Sequence, residues 1–389
     1  MSQLSTGRQV ESDLFDHFAP RSGFVLEGQG RGLALLVPAA AVLAVSPGPD
    51  QVARAAGLAR DALASGTNSV VAGALPFDGA PVGVLQMGAR ADGRRQAAPS
   101  APAAPTYQAV SAAREPDESA YEEAVTEALR AIESGSIDKV VLARTLLVET
   151  DSPLDPARIA RRLRDADPDC YVFAVGLPGP AHALVGASPE LLVRRRGEHV
   201  ASDPLAGSAP RSVDPTEDRD AAHALLRSVK ERREHRIVAE AVADTLSPFC
   251  QRLDVDEQPS LLATATLWHL HTAVRGRLRP GAPDALTLAA ALHPTPAVCG
   301  TPRDASLSLI RDLEPFDRRF YAGIVGWVDS RGDGEWVIAL RCAEVMGRSA
   351  RLYAGCGIVA GSEPAAEDRE AAIKFSAMLR ALGIDQPAR

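Results

Sequence analysis

Over residues 1 to about 90, short apolar runs alternate with glycine and proline turns, as in Arg31 to Val37 and Ser69 to Leu75. This pattern predicts strands, with one helix interrupting them near Pro49 to Ala64. Residues 91–118 are rich in alanine, proline and serine with little periodicity, which predicts a surface linker. Beyond it the pattern sharpens. Tyr121, Val125, Leu129 and Ile132 recur at helical spacing, with Asp117 and Ser119 as candidate caps and Gly135 as the stop. Lys139 to Val148 reads as a strand of branched residues, whose alternation groups Lys139 with Val141, Ala143 and Thr145 on one face. A helix at Pro156 to Asp165 precedes strands at Cys170 to Val175, Ala183 to Val185 and Leu191 to Arg194.

A long helix is predicted over Thr216 to Leu246, followed by strands at Leu267 to Leu278, Gly323 to Val328, Glu335 to Cys342 and Arg351 to Ala354. The last helix runs from Pro364 to Leu382, with Ser362 as its cap and Gly383 past its end. There is no internal repeat and no regular strand–helix alternation. The elements therefore predict an α/β (α+β) architecture of large antiparallel or mixed sheets covered by helices.

Composition narrows the function classes. The 389 residues are 46% hydrophobic and 24% charged, and the net charge of −8 argues against nucleic-acid binding. The N-terminus lacks a basic segment followed by an apolar core, and the Ala-rich stretch Leu33 to Val45 is too short to span a bilayer and broken by Pro38. No membrane association is expected. Five scattered cysteines without Cys-x-x-Cys spacing indicate neither a disulfide framework nor a zinc site, and place the chain in the reducing cytoplasm.

Several residues could carry chemistry. Glu231 and Glu234 on the long helix, and Glu367 and Glu370 on the last, are each three positions apart and so share a helical face. Such pairs ordinarily form a solvated face. If the two faces converge, four hard oxygen donors suit magnesium. Lys374, four positions after Glu370, is either an ordinary helix ion pair or a cation for a substrate carboxylate. Lys139 is a solvent-facing strand end or, half-buried, a general base. Glu190, stiffened by Pro189, is a turn residue in water or a general acid kept protonated by burial. Gly355-Cys356-Gly357 reads as a turn after a strand whose amides could cradle an anion. Arg341 offers a carboxylate fork.

The order of these signals resembles the chorismate-utilising enzymes: isochorismate synthase, salicylate synthase, anthranilate synthase component I and aminodeoxychorismate synthase. The matching stretches are DKVVLAR (138–144), GASPELLVR (186–194), DPLAGSAPR (203–211), KERREHRIV (230–238), LWHLHTAVRG (267–276), LEPFDR (313–318), YAGIVGW (321–327) and AGCGIV (354–359). The resemblance implies one domain over 1–389 of the anthranilate synthase component I type, with two large, mostly antiparallel sheets facing each other. Residues 1–114 form its variable part and 115–385 the catalytic part. It also implies magnesium at Glu234 and Glu370 with Glu231 and Glu367 nearby or acting through water, Lys139 as base and Glu190 as acid. Tyr321, Arg341, Lys374 and the amides of Gly355, Cys356 and Gly357 correspond to substrate carboxylate contacts, and Ala206, Gly207, His269 and Ala297 to further substrate contacts.

Within the family, the residues resemble the isochorismate synthase branch of siderophore pathways. Aminodeoxychorismate synthases carry a nucleophilic lysine where this chain has Ala206, and nothing here provides a glutaminase partner. Salicylate synthases share Lys139 and Glu190 but usually place a threonine at the position of Ala297. The implied reaction is conversion of chorismate to isochorismate by a monomeric enzyme. Salicylate formation with loss of pyruvate, a menaquinone-pathway role and an inactive regulatory homologue are the alternatives; the retained Lys139, Glu190 and four glutamates argue against the last.

Overall fold

The computed structural model describes residues 8–20, 22–28, 31–36, 42–64, 69–94 and 107–384. Nineteen strands form one sheet and three more form a small one. The large sheet has two halves. In the first, Ala109–Glu115 pairs with Lys139–Thr150, which pairs with Ser349–Val359 and continues through Cys342–Met346, His182–Ser188, Tyr171–Gly176, Phe24–Gly28 and Arg31–Leu36. In the second, Ser69–Leu75 leads through Ile324–Asp329, Gly334–Ile338, Leu191–Arg196 and His199–Asp203 to Val274–Leu278 and Cys250–Val255. The long strand Gly83–Arg94 joins them, pairing with Arg31–Leu36 at one end and Ser69–Leu75 at the other. The two expected large sheets are thus continuous. Their strands are antiparallel, apart from the short parallel pairing of Arg8–Gln9.

One apolar core extends from Leu14 to Ile384, so residues of the N-terminal part and the catalytic part pack together. An ion pair ties the final helix, Pro364–Leu382, to the sheet, and a glycine ends it. Asp368 forms a buried ion pair with Arg144 of the Lys139–Thr150 strand. Gly383 ends the helix in the left-handed region (φ 71°), where a side chain would be strained. The elements that come out as expected include the helices Gln51–Ala64, Glu118–Glu133 (capped by Asp117), Pro156–Ala166 and Pro364–Leu382, and the strands Ser69–Leu75, Tyr171–Gly176 and Ile324–Asp329.

Five expectations need correction. The linker predicted at 91–118 is mostly structured where described: Ala109–Glu115 is an edge strand and Glu118 opens a helix, while 95–106 lie outside the described residues. The helix predicted over Thr216 to Leu246 is two helices, Pro215–Arg227 and Val229–Leu246. Ser228 leaves the helical region (ψ 118°), and its hydroxyl accepts from the Glu231 N–H as the cap of the second. Leu267 to Leu278 splits into Leu267–His271, in the small sheet with Leu205–Pro210 and Ser260–Ala263, and Val274–Leu278 in the large one. Glu335 to Cys342 also splits, because Arg341 takes a positive φ of 46° between Gly334–Ile338 and Cys342–Met346. Ser362 does not cap the last helix; Glu363 occupies that position, and the Ser362 hydroxyl accepts from Val359 N–H instead.

Candidate active site

The small sheet, the helix Val229–Leu246 and the final helix close over the strands Lys139–Thr150 and Ser349–Val359. Between them lies a cleft lined by both polar and apolar side chains. Its lining includes Glu190, Ala206, Gly207, Glu234, His269, Ala297, Tyr321, Arg341, Gly355, Gly357, Glu370 and Lys374. The lining thus sets two cations, Arg341 and Lys374, beside three glutamates, Glu190, Glu234 and Glu370.

Lys139 sits just behind this lining, fully buried. Its Nζ lies 2.9 Å from Glu234 Oε1 and, apart from that ion pair, meets no hydrogen-bond partner among the described residues. Its strand alternation is as expected, since Val141 on the same face lines the cleft. Glu190 is 3% exposed. Burial pushes its carboxyl up to about 8, against the Leu205 N–H and the charges of Lys139 and Arg341, which pull it down. It is a protonated acid at neutral pH.

The two glutamate pairs do converge. Ser208 connects them, its N–H donating to Glu231 Oε2 (3.1 Å) and its hydroxyl to Glu370 Oε1 (2.7 Å). Lys230 connects them again, 2.7 Å from Glu367 Oε1 and 3.3 Å from Glu231 Oε1. Burial first and then the Glu234 charge raise the Glu231 carboxyl to about 7. Burial and Glu370 likewise raise Glu367. Four converging carboxylates, Glu234 and Glu367 buried and Glu231 and Glu370 half-buried, offer hard oxygen donors that fit a divalent cation such as magnesium, which would relieve their repulsion. Glu234 and Glu370 reach the cleft; Glu231 and Glu367 are not among its lining residues.

Arg341 and His269 form one unit. The Arg341 guanidinium donates to His269 Nε2 (2.9 Å), so the ring proton resides on Nδ1. Burial, with Arg341 and Lys374 nearby, holds this histidine far below its ordinary pKa, hence neutral. Arg341 keeps its place at the expense of a left-handed backbone, a strain characteristic of functional positions. Lys374 makes the expected ion pair with Glu370 Oε1 (2.6 Å) and also donates to Gly355 O (2.8 Å), with its side chain in the cleft lining.

Gly355 and Gly357 lie within the strand Ser349–Val359, not in a turn after it. Their role is clearance. A Cβ at Gly357 would fall 2.0 Å from Glu234 Oε1, and one at Gly355 2.8 Å from the Tyr321 hydroxyl. The partners of Gly357 and Gly355, Val141 and Ala143, send their own N–H groups to Cys299 O and Glu314 Oε1. Both glycines therefore sit at non-hydrogen-bonded pairs, with their amides turned away from the neighbouring strand. Gly207 needs its glycine twice over, for φ 75° and for a Glu231 oxygen 3.1 Å from the Cβ position. Cys356 is the exception among the expected contacts. Its thiol points toward the final helix, 3.3 Å from Glu367 O, and it does not line the cleft.

Sequence reasoning assigned no role to Ser208, Lys230 or Tyr353. Tyr353 stacks on Tyr321 with ring centroids 5.3 Å apart. The period of two that links Tyr353, Gly355 and Gly357 is a signal that could have found it.

The family described as chorismate binding enzyme matches residues 84–383. Isochorismate synthase DhbC of Bacillus subtilis (strain 168) is 49% identical over 275 residues, 69% of this chain and 69% of the relative. Isochorismate synthase EntC of Escherichia coli (strain K12) is 41% identical over 335 residues, 85% of each chain. Among solved structures, DhbC from Bacillus anthracis superposes with a TM-score of 0.88 at 39% identity, over 96% of this chain and 99% of that one. On these matches the chain belongs to the chorismate binding enzyme family.

Proposed function

We propose that the chain is an isochorismate synthase, converting chorismate to isochorismate. The observation that carries this reading is Glu190, a carboxyl kept protonated by burial, facing the same cleft as the four-glutamate cluster and the buried Lys139. Hydroxyl exchange needs those parts: an acid for the departing hydroxyl, a base for the attacking water and a charged anchor for the ring carboxylate.

Magnesium held by Glu234 and Glu370, with Glu231 and Glu367 supporting, would anchor the ring carboxylate and draw electron density toward it. Lys139 takes a proton from the water that attacks ring carbon 2. Glu190 gives its proton to the hydroxyl leaving carbon 4 on the other face. Arg341, oriented by neutral His269, and Lys374 hold the substrate's carboxylates, while Tyr321 stacked on Tyr353 forms a wall. Ala206 puts no amine in the cleft, which disfavours a covalent lysine adduct. Ala297 puts no hydroxyl there, which favours release of isochorismate over onward loss of pyruvate.

The Bacillus anthracis DhbC is named for 2,3-dihydroxybenzoate specificity, and this supports a siderophore-pathway role over a menaquinone one. We assign the chain to the cytoplasm as a monomer without a glutaminase subunit. Its five free, buried cysteines suit a reducing compartment, and no helix among the described residues is long and apolar enough to cross a membrane. The test is chromatography of the products from chorismate and magnesium. Isochorismate without pyruvate, abolished by EDTA, is expected; salicylate and pyruvate in equal amounts would overturn the assignment.

A further inference from the structure

A buried ion pair behind the cleft wall takes no part in the steps above. The strand Lys139–Thr150 is paired on its outer edge by Gly300–Thr301 only at Lys139 and Val140, and by Ala109–Glu115 only from Thr145 onward. Between them the Val141 carbonyl and the Ala143 N–H meet no strand among the described residues, the Val141 N–H donating to Cys299 O. Glu314 and Arg318, both under 5% exposed, fill that gap with side chains. The Ala143 N–H donates to Glu314 Oε1 (2.8 Å), and Arg318 Nη2 donates to Val141 O (2.6 Å). Arg318 also reaches across to Val298 O through Nη1 (2.7 Å) and grips Glu314 through Nε (2.8 Å) and Nη2 (2.6 Å). Its guanidinium lies 4.5 Å from the Phe77 ring centroid and 6.0 Å from that of Tyr321, and its backbone carbonyl accepts the Tyr321 N–H.

Val141, Val298 and Tyr321, three segments far apart in sequence, all line the cleft, and this one side chain touches all three. The contacts are directional and use four of the five N–H donors of the fork, which an ammonium with three could not do. We propose that Glu314 and Arg318 are positioning residues that set the wall of Val141, Val298 and Tyr321, and with it the register of the substrate ring against Lys139 and Glu190. The carboxylate anchors Arg341 and Lys374 belong to other elements and do not depend on the pair. The pair therefore governs turnover more than affinity. This inference rests on the isochorismate synthase reading.

Steady-state kinetics on Arg318→Lys, run beside the wild type at a temperature where both remain folded by circular dichroism, tests it. The expected result is a kcat lower by about 10- to 100-fold with KM for chorismate changed less than about 3-fold, the mark of lost alignment. A merely destabilised enzyme would instead lose active fraction in step with its melting curve and regain kcat on cooling. Should Arg318→Lys fail to fold, Glu314→Gln with Arg318→Met removes both charges together, a change buried pairs often tolerate, and the same kcat loss is expected. Wild-type kcat in a folded variant overturns the positioning role alone. A wild type that forms no isochorismate overturns the assigned reaction and this inference with it.

Discussion

At the scale of single residues, Glu190 makes the most exposed claim, because its environment fixes its protonation. Its carboxyl titrates at about 8 in the fold against an ordinary 4.5. As a general acid it should lose activity as pH rises through about 8, and Glu190→Gln should lower kcat by at least about 10²-fold and remove that limb from the pH profile. Stability follows the opposite logic to a salt-bridged carboxylate. Between 4.5 and about 8 the native state holds a proton that the unfolded chain has lost, so this group's contribution falls as pH rises. The melting temperature of Glu190→Gln should therefore climb relative to wild type between pH 5 and pH 8, as read by thermal unfolding at the two values. An unchanged difference would show that Glu190 ionises normally. Lys139→Ala should likewise lower kcat by at least about 10²-fold, and near-normal activity would remove it from the mechanism.

At the scale of elements, the strand Ser349–Val359 and the two helices set the glutamates. Gly357→Ala would drive a Cβ to within 2.0 Å of Glu234 Oε1. Calorimetry on this variant should show weaker magnesium binding, while unchanged affinity would separate Glu234 from the metal. Ser228 ends one helix and caps the next, so Ser228→Ala should destabilise the protein by about 1 kcal/mol in urea unfolding. That break was legible, because Ser228 and Glu231 form a capping-box spacing, but the apolar periodicity runs through it and masks the signal. The edge strand Ala109–Glu115 was not legible. All seven residues are exposed and, apart from Val110, are small or charged, so no alternation marks them, and pairing with Lys139–Thr150 makes them a strand. Arg341 was found as a residue but not as a kink, since nothing in Leu340-Arg341-Cys342 signals a positive φ.

At the scale of the whole molecule, motif order named the family and most of the cleft, because the lining residues come from short stretches that keep their spacing. What sequence could not supply was adjacency. Ser208 joining Glu231 to Glu370, and Arg318 joining three walls, exist only once distant segments meet. The same folding sets Arg341 and Lys374 in one cleft, with Lys139 just behind its wall, in a chain with net charge −8. Substrate capture should accordingly weaken with salt, with kcat/KM falling as ionic strength rises; a flat profile would argue that the local cations do not steer the dianion. The central claim is that solvent water supplies the new hydroxyl while the original one leaves. Turnover of chorismate in 18O-labelled water, followed by mass spectrometry of isochorismate, tests it directly. The account predicts one solvent oxygen, at the carbon 2 hydroxyl; product without label would mean that the hydroxyl migrates within the substrate, and would contradict the roles of Lys139 and Glu190.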